Sequence, residues 1–369
     1  MKIVIDIRKL SNKPSGIGMY IYYFVKGLMK YRNIEIFGIT DVLLSDEILE
    51  LKTLNLNIIE YGKEVNSNFE VFKYFKFIET VIDKEKPNIF WEPNFIIPIN
   101  LKKKFKDVEF IITIFDLIPI LNPEFCSLQY RVYFKYFLHK TIKNVDSVIY
   151  ISDTVKKQCE KRYPHIKEKN SLLNYVIIDK EEFNIEEDLK DLEYFLFVGN
   201  IEERKGIRIL LDAYEKYIKN GGNKGLKIAG GIRENEIESL INNRIHKYGE
   251  KIEYLGYVET DTKNSLIKNS SALIFPSYVE GFGIPPIEAL MCGKPVIVSN
   301  IEVFREILGD SGNYFDISND YENSVNMLYE KMFEYKTIDE EDREKLIEKY
   351  SSKTLSEKLV RFLENNIEE

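Results

Sequence analysis

The sequence predicts an α/β protein with two doubly wound domains, each a parallel sheet between layers of helices. Three observations lead to this prediction. The 369 residues are more than twice the usual domain length of about 150 residues, so two cores are expected. Short apolar runs alternate with helix-length amphipathic segments in both halves. Residues 179–193 are acidic and poor in apolar side chains, which makes them the best linker candidate.

The first half opens with an apolar run typical of a strand and continues with an amphipathic segment typical of a helix. This alternation recurs as far as residue 151. The predicted strands are residues 3–7, 34–40, 89–91, 110–115 and 147–151, and the predicted helices are residues 17–30, 67–86 and 127–144.

The second half repeats the scheme, so two doubly wound domains facing each other across a cleft are expected. The predicted strands are residues 194–198, 226–229, 252–255, 272–275 and 295–298, and the predicted helices are residues 205–220, 234–248, 262–269, 286–292 and 302–308. The predicted domains are therefore residues 1–178 and 194–351. Residues 352–369 form a terminal helix with one apolar face, and this face can be buried against either domain.

The composition excludes several classes of protein. With 44% hydrophobic residues, 11 Pro and 19 Gly, the chain is neither disordered nor collagen-like. Its three cysteines are far apart and form no Cys-x-x-Cys pair, so a disulfide framework or a thiolate zinc site is not expected. The opening apolar run is too short for a signal peptide, and no run approaches the roughly 18 residues of a membrane span. A cytoplasmic protein is expected.

A first candidate site is the turn KPSGIGMY, residues 13–20, where Gly16 and Gly18 precede an amphipathic helix. Small residues at a helix start let a phosphate approach free backbone N–H groups and the positive end of the helix dipole. The turn lacks the third glycine of the dinucleotide fingerprint, since Ile21 stands there. A phosphate site and a plain turn both remain open.

A second candidate is FVGNIEERKG, residues 197–206, in which a strand ends at Gly199 and Asn200 and leads through Arg204 and Lys205 towards a helix. Cations at a helix N-terminus oppose the helix dipole, so they are unfavourable there unless an anion compensates them. The segment therefore predicts a phosphate site at the carboxyl edge of a parallel sheet.

The third and strongest candidate is residues 274–300, where a loop carrying Glu280 leads into a short helix carrying Glu288. The loop contains two glycines, and two prolines open the helix. Placed in the first turn, Glu288 can accept hydrogen bonds from both hydroxyls of a diol such as ribose. Dipole compensation would explain Glu288 alone, but it does not explain the paired glycines and prolines.

These three segments together resemble a known family. EGFGIPPIE followed by ALMCGKPVIVSN is similar to the E-x7-E signature of family 4 retaining glycosyltransferases, FVGNIEERKG resembles their phosphate loop, and PSGIGMYIYYFVKGL resembles their N-terminal glycine loop. The resemblance extends from the first strand to about residue 310. It implies the GT-B fold, with the donor nucleotide in the C-terminal domain and the acceptor in the N-terminal one.

The resemblance also implies roles for individual residues. Glu280, Lys205 and Arg204 would form the catalytic set, with both cations on the donor diphosphate and Glu280 on the donor sugar. The implied substrate-binding residues are Gly16, Gly18, Asp116, Gly199, Asn200, Phe282, Gly283, Ile284 and Glu288, of which Glu288 would hold the ribose. Two positions depart from the family pattern: Asn200 stands where an arginine is frequent, and Phe115 precedes Asp116 where a histidine is frequent.

The implied function is metal-independent transfer of a hexose, with retention, from a GDP-, UDP- or dTDP-linked donor to a hydroxyl acceptor. No cofactor or bound metal is expected, because the chain has no Asp-x-Asp pair of the kind that holds a divalent ion on a diphosphate. The acceptor would be a saccharide or lipid-linked saccharide, as in mannosyl- and rhamnosyl-transferring members that build surface polysaccharides, and no nucleic acid partner is expected. The alternatives are a non-catalytic paralogue that assembles with an active partner, and a nicotinamide-dependent oxidoreductase.

The charge is distributed unevenly along the chain, and this bears on whether the protein contacts a membrane surface. Residues 1–180 carry 28 Lys and Arg against 22 Asp and Glu, which is a net charge of +6. The whole chain carries −8, so the remaining residues carry −14. LKKKFK at 101–106 and the aromatic, cationic segment 125–143 suggest peripheral contact with the inner face of the membrane. In the other interpretation, Tyr130, Phe134, Phe137 and Leu138 face the N-terminal core, and the lysines are simply solvated.

Overall fold

The computed structural model describes residues 1–11, 16–43, 45–179 and 193–368. The chain divides into two compact units, the first comprising Met1–Ile177 with Tyr350–Glu369 and the second Ile178–Lys349. The predicted linker, residues 179–193, lies outside the described residues except for its two ends.

The described strands of the first unit form one parallel sheet in the order β3-β2-β1-β4-β5-β6-β7. They are β1 (Lys2–Asp6), β2 (Glu35–Thr40), β3 (Asn57–Glu60), β4 (Ile89–Glu92), β5 (Glu109–Ile114), β6 (Ser147–Tyr150) and β7 (Asn170–Leu173). The order reverses at β1, whose neighbours are β2 and β4. Right-handed connections therefore place helices on both faces. The five predicted strands are confirmed to within about a residue, whereas β3 and β7 were not predicted.

The helices of this unit follow the strands and begin at their carboxyl edge. They are α1 (Gly16–Leu28), α2 (Asp46–Thr53), α3 (Asn68–Glu85), α4 (Leu101–Lys104), α5 (Ile118–Leu121), α6 (Leu128–Asn144) and α7 (Asp153–Arg162). Serine side chains accept a hydrogen bond from the first turn of several of them, as Ser67 does for α3 and Ser127 for α6. These N-caps explain why the helices begin where they do.

The second unit is a smaller version of the same architecture. Its described strands pair in the order β10-β9-β8-β11-β12-β13. They are β8 (Tyr194–Val198), β9 (Gly225–Ala229), β10 (Ile252–Gly256), β11 (Ala272–Phe275), β12 (Val296–Ser299) and β13 (Asn313–Phe315). Every pairing is parallel, and the order reverses at β8. The five predicted strands of this unit are confirmed to within about a residue, whereas β13 was not predicted. The two sheets confirm the doubly wound α/β class.

The helices of the second unit include two near its end that were not predicted. They are α8 (Ile207–Lys219), α9 (Asn235–Tyr248), α10 (Thr260–Lys268), α11 (Ile284–Met291), α12 (Glu302–Leu308), α13 (Tyr321–Lys331) and α14 (Glu340–Lys349). The unpredicted pair is α13 and α14, which are rich in acidic and polar residues, so their apolar faces are narrow.

The terminal helix α15 (Ser352–Glu368) belongs to the first unit, where it packs on α1. Gly27 permits the close approach, because a Cβ at this position would lie 2.0 Å from Ser356 Oγ. Leu355, Leu359 and Leu363 are buried on the apolar face of α15. Within the described ranges, no helix is both long and apolar enough to cross a bilayer.

Candidate functional site

The loops that follow β8 and β11 meet at the carboxyl edge of the second sheet. A short 3-10 turn, Glu203–Lys205, is followed by Gly206 in the left-handed region at φ 70°. A Cβ on Gly206 would lie 2.0 Å from Pro276 O, and Tyr278 N donates to Arg204 O at 2.9 Å. Glycine is therefore required where the two loops touch.

This junction gathers three polar side chains around Glu280. The Glu280 side chain is only 8% exposed, and its Oε2 accepts a hydrogen bond from Arg204 Nη1 at 3.2 Å. Its Oε1 accepts from Lys205 Nζ and from Ser277 Oγ, the latter at 2.8 Å. The structure thus brings together all three residues of the expected catalytic set, and it adds Ser277, which the sequence did not single out.

Burial and charge compete in this cluster, which we call the Glu280 cluster (Arg204, Lys205, Ser277 and Glu280). Burial acts to raise the pKa of Glu280, but the charges of Lys205 and Arg204 outweigh it and hold the pKa below its usual range. Burial lowers the pKa of Lys205, and Glu280 opposes this change only in part. Lys205 Nζ also lies 4.7 Å from the centroid of the Phe275 ring.

The depressed pKa of Glu280 makes part of the stability depend on pH. Because the ionised form is favoured in the fold, its contribution is present above the ordinary carboxyl pKa of about 4.3 and disappears as the pH falls through the lower folded-state pKa. We expect Glu280→Gln to lower the thermal unfolding midpoint at pH 7 and to lower it less in acid. Circular dichroism melts of both proteins from pH 7 to pH 3 measure this, and a constant difference would contradict it.

Arg204 and Lys205 lie before the helix rather than at its N-terminus. The sequence predicts a helix from residue 205, whereas α8 begins at Ile207 and both cations occupy the 3-10 turn before it. Gly206, in its left-handed conformation, ends that turn, and α8 begins at the next residue. Glu280 compensates the charge of both cations. Arg204 has a second partner, since its Nη2 lies 2.7 Å from Glu202 Oε1.

Glu288 also lies deeper in its helix than the sequence suggested. Gly283 is the N-cap of α11 at φ 111°, and a Cβ there would lie 2.6 Å from the Phe304 ring. The helix begins at Ile284, one residue before the prolines, so Glu288 is its fifth residue and stands in the second turn. The prediction of a first-turn position is wrong by one turn.

The Glu288 carboxylate is buried, at 5% exposure, and has one occupied oxygen. Lys263 Nζ of α10 donates to Oε1 at 2.5 Å. The other oxygen, Oε2, has no hydrogen-bond partner among the described residues. A buried carboxylate oxygen with unused lone pairs is a ready acceptor for a ligand hydroxyl. Lys263 gave no signal in the sequence, because it is one lysine of a polar helix.

The remaining candidates of the second unit line the same edge. Gly199 follows β8 at φ 145° and donates its N–H to Ala229 O at 3.0 Å, and the adjacent Asn200 is exposed. Phe282 is buried and Ile284 is half-buried, on either side of Gly283.

Three candidates belong to the first unit and are placed within it alone. Gly16 is the first residue of α1 and is exposed, while Gly18 is buried one half-turn later. Residues 13–15 of that turn lie outside the described residues. Asp116 follows β5 and uses Oδ1 to accept from Ile118 N at 3.0 Å.

Comparison with known proteins places this geometry in context. The model of the family "Glycosyl transferases group 1" matches residues 178–353, nearly the span of the second unit. The O-antigen chain mannosyltransferase RfbU of Salmonella typhimurium is 32% identical over 210 residues, which are 55% of this chain and 55% of the relative. The chain spans between 53 and 61% of the length of the first curated relatives that it matches.

Two solved structures resemble the whole chain in fold. Sucrose-phosphate synthase from Thermosynechococcus elongatus has a TM-score of 0.78 at 16% identity and covers 100% of this chain and 99% of its own. HepE of Anabaena, solved in complex with UDP and glucose, has a TM-score of 0.67 at 14% identity, with 100% and 98% covered. These likenesses confirm the GT-B fold class, and the matched family confirms the resemblance noted in the sequence. Residues 178–353 thus match the glycosyl transferases group 1 family, and the Glu280 cluster and Glu288 lie inside the matched residues.

Proposed function

We propose that the chain is a metal-independent retaining glycosyltransferase that moves a hexose from a nucleotide diphosphate sugar to a hydroxyl acceptor in polysaccharide assembly. The supporting observation is the Glu280 cluster at the carboxyl edge of the second sheet, where open α/β sheets bind nucleotides. It holds two cations side by side at this edge, Lys205 paired with Glu280 and Arg204 paired with Glu280 and Glu202.

In the proposed reaction the acceptor oxygen attacks the anomeric carbon from the face that the diphosphate leaves. The bond from this carbon to the acceptor forms as the bond to the diphosphate oxygen breaks, and a diphosphate oxygen takes the acceptor proton. Lys205 and Arg204 would stabilise the charge that develops on the leaving diphosphate, which is electrostatic stabilisation by groups already in place. Glu280 would hold both cations in position, and no side chain need act as an obligatory base.

Glu288 would bind the donor nucleotide. Its Oε2 is an unused acceptor, and Oε1 keeps a second lone pair beside the hydrogen bond from Lys263. Both oxygens can therefore accept from a vicinal diol such as the ribose of a nucleotide. The mannosyltransferase RfbU supports a mannosyl donor, and HepE, solved with UDP and glucose, supports a nucleoside diphosphate in this fold.

The proposed activity is tested by offering UDP-, GDP- and dTDP-linked hexoses to the purified chain and measuring nucleoside diphosphate release in excess EDTA. We expect one donor class to turn over without added metal and the product to keep the donor's anomeric configuration in NMR spectra. Loss of turnover on chelation, restored by Mg²⁺ or Mn²⁺, would contradict metal independence. Nucleotide binding without any turnover would favour the non-catalytic paralogue.

The acceptor is proposed to be a saccharide or a lipid-linked saccharide, reached by a chain that works in the cytoplasm at the inner face of the membrane. The structure supports part of the membrane interpretation and part of the core interpretation of the segment 125–143. Phe134 and Leu138 are buried in the first core, whereas Tyr130 is 43% exposed and Tyr136 is 52% exposed on the same helix, α6. The expectation that Tyr130 faces the core is therefore wrong, and Phe137 is half-buried.

Peripheral attachment is tested by co-sedimentation with vesicles that contain anionic lipid. In the segment 101–106, Lys102 is ion-paired with Asp146 and Lys104 with Glu79. We therefore assign the attraction to anionic lipid to Lys103 and Lys106, which are both exposed. Each basic residue near such a surface contributes about 1 kcal/mol.

We expect the double variant Lys103→Glu/Lys106→Glu to sediment less at low salt than the unchanged chain. A control, Lys251→Glu/Lys353→Glu, makes the same charge change at other exposed positions and should sediment normally. If the unchanged chain stays in the supernatant at low salt, peripheral attachment is wrong.

A further inference from the structure

Two acidic side chains meet at the carboxyl edge of the first sheet. Asp6 is the last residue of β1 and Glu92 the last of β4, and these neighbouring strands pair with Ile5 opposite Trp91. The two carboxyl groups are therefore side by side. Both side chains are nearly fully buried, at 2% and 4% exposure.

Arg8 compensates one of these acids but not the other. Its Nε donates to both oxygens of Asp6 at 3.0 and 2.8 Å, and its Nη2 lies 2.8 Å from Asp6 Oδ2. Its guanidinium carbon lies 4.0 Å from the centroid of the Tyr74 ring. The distance from Nη2 to Glu92 Oε2 is 3.8 Å, which is too long for a hydrogen bond.

The surroundings of Glu92 favour its protonated form over its ionised form. Burial raises the pKa of Glu92 well above its ordinary value, and the neighbouring Asp6 raises it further through its charge and a hydrogen bond. The two acids share Arg8, the cation that contacts them, and Arg8 is already paired with Asp6. An added phosphate or carboxylate would meet both acids here, with the exposed Lys9 as a further cation acting on Glu92, whereas a neutral hydroxyl adds no charge to the group.

The same place holds polar atoms whose hydrogen bonds are unmade. Glu92 Oε2 and the hydroxyl of Tyr74 are buried, and neither has a hydrogen-bond partner in the part of the chain that the structure describes. Tyr74 is fully buried, and its pKa is raised well above normal by burial and by Asp6 and Glu92, so its hydroxyl keeps its proton. Buried polar groups rarely stay unsatisfied, and both of these residues lie against Arg8, so we take the pair as a candidate ligand site.

The location fits a ligand site as well. The strand order reverses at β1, and the crevice outside the carboxyl ends of the strands at such a point is where doubly wound sheets bind ligands. Asp6 and Glu92 are the last residues of β1 and β4, so both stand at the carboxyl ends of strands at this reversal point.

We infer that Glu92 and Tyr74 bind an uncharged hydroxyl of the sugar acceptor, with Arg8 and Asp6 as positioning residues. This inference rests on the proposed function and adds the class of acceptor. One sugar hydroxyl can donate to Glu92 Oε2 and accept from the Tyr74 hydroxyl, which satisfies both buried atoms at once. The acceptor end that enters the first unit is therefore a neutral glycoside and not a phosphorylated sugar.

The test uses the full chain and two probes, methyl α-D-mannopyranoside and α-D-mannose 1-phosphate, with binding followed by saturation-transfer NMR. We expect the neutral glycoside to bind better than the phosphate. Tyr74→Phe keeps the ring under Arg8 but removes the hydroxyl, and should weaken glycoside binding about tenfold. Glu92→Leu should weaken it at least as much. Glu92→Gln retains a neutral acceptor oxygen and should bind like the unchanged chain.

Tyr163→Phe is the matched control, since Tyr163 is also buried with a hydroxyl that lacks a partner among the described residues, but it follows α7 at the opposite edge of the sheet. Calorimetry with GDP and UDP tests the second unit separately. Nucleotide binding without glycoside binding would overturn the inference and leave the proposed function standing. Glycoside binding that ignores Tyr74 and Glu92, or stronger binding of the phosphate, would also overturn it. Loss of nucleotide binding alone would count against the proposed function only.

Discussion

Lys205→Ala should lower turnover by about 100-fold or more, because the lysine would stabilise charge on the departing diphosphate. Its amine is buried against the Phe275 ring and paired with Glu280, so it is already in place and little reorganisation is needed during the reaction. Loss of such a group should appear mainly in kcat, with a smaller change in KM. Steady-state kinetics with the donor identified in the sugar-nucleotide screen measure both constants.

A structural explanation must be separated from a catalytic one, since removing Lys205 leaves Glu280 with one cation fewer in a buried place. Lys227→Ala is the matched control. Lys227 is paired with Glu253 at 3.0 Å and lies 4.9 Å from the centroid of the Tyr194 ring, but it stands on β9 and not in the Glu280 cluster. Equal losses of turnover in the two variants, or a Lys205→Ala protein with normal kcat, would remove Lys205 from the reaction.

Glu288→Ala should weaken binding of the free nucleoside diphosphate by at least tenfold. Two charge-assisted hydrogen bonds to a ribose diol would be lost, each worth roughly 1.5 to 3 kcal/mol before water compensates. A loss of about 1.4 kcal/mol is already tenfold in the dissociation constant. Isothermal titration calorimetry with the preferred nucleotide measures it.

Glu215→Ala serves as the control for Glu288, because Glu215 is another largely buried carboxylate of the second unit paired with a lysine, Lys247, at 2.7 Å. It lies on α8 within a network of cations and has no place in the proposed ribose site. An unchanged dissociation constant in Glu288→Ala would exclude Glu288 from the ribose site, whatever Glu215→Ala does.

The central strands were predictable because each is a continuous apolar run buried on both faces, as β8 and β11 are throughout. The missed strands are β3, β7 and β13, and all three lie at sheet edges and are short, with only three residues in β13. β3 is half-exposed over its four residues, and β7 has one buried residue of four. Edge strands are covered by fewer neighbours, so their sequences need fewer apolar residues and carry a weaker signal.

The sequence could predict those site residues that carry a charge and also lie in a loop after a strand. Lys205 and Glu280 stand in the loops that follow β8 and β11, so topology alone brings them to one edge of the sheet. Lys263 could not be found in this way, since its role depends on how α10 packs on α11. Arg8 and Glu92 are separated by 84 positions, and only the pairing of β1 with β4 shows that they are neighbours.

The packing of α15 on α1 bears on how the chain folds as it leaves the ribosome. The first unit lacks its last helix until the second unit, residues 178–349, has been synthesised. At the usual rate of translation, that delay is roughly 10 to 30 s. During this time α1 has no cover over Gly27, whereas the second unit has all of its own elements as soon as its synthesis ends, before α15 is made. Nascent chains should therefore protect the second unit from protease first, even though it comes later in the sequence.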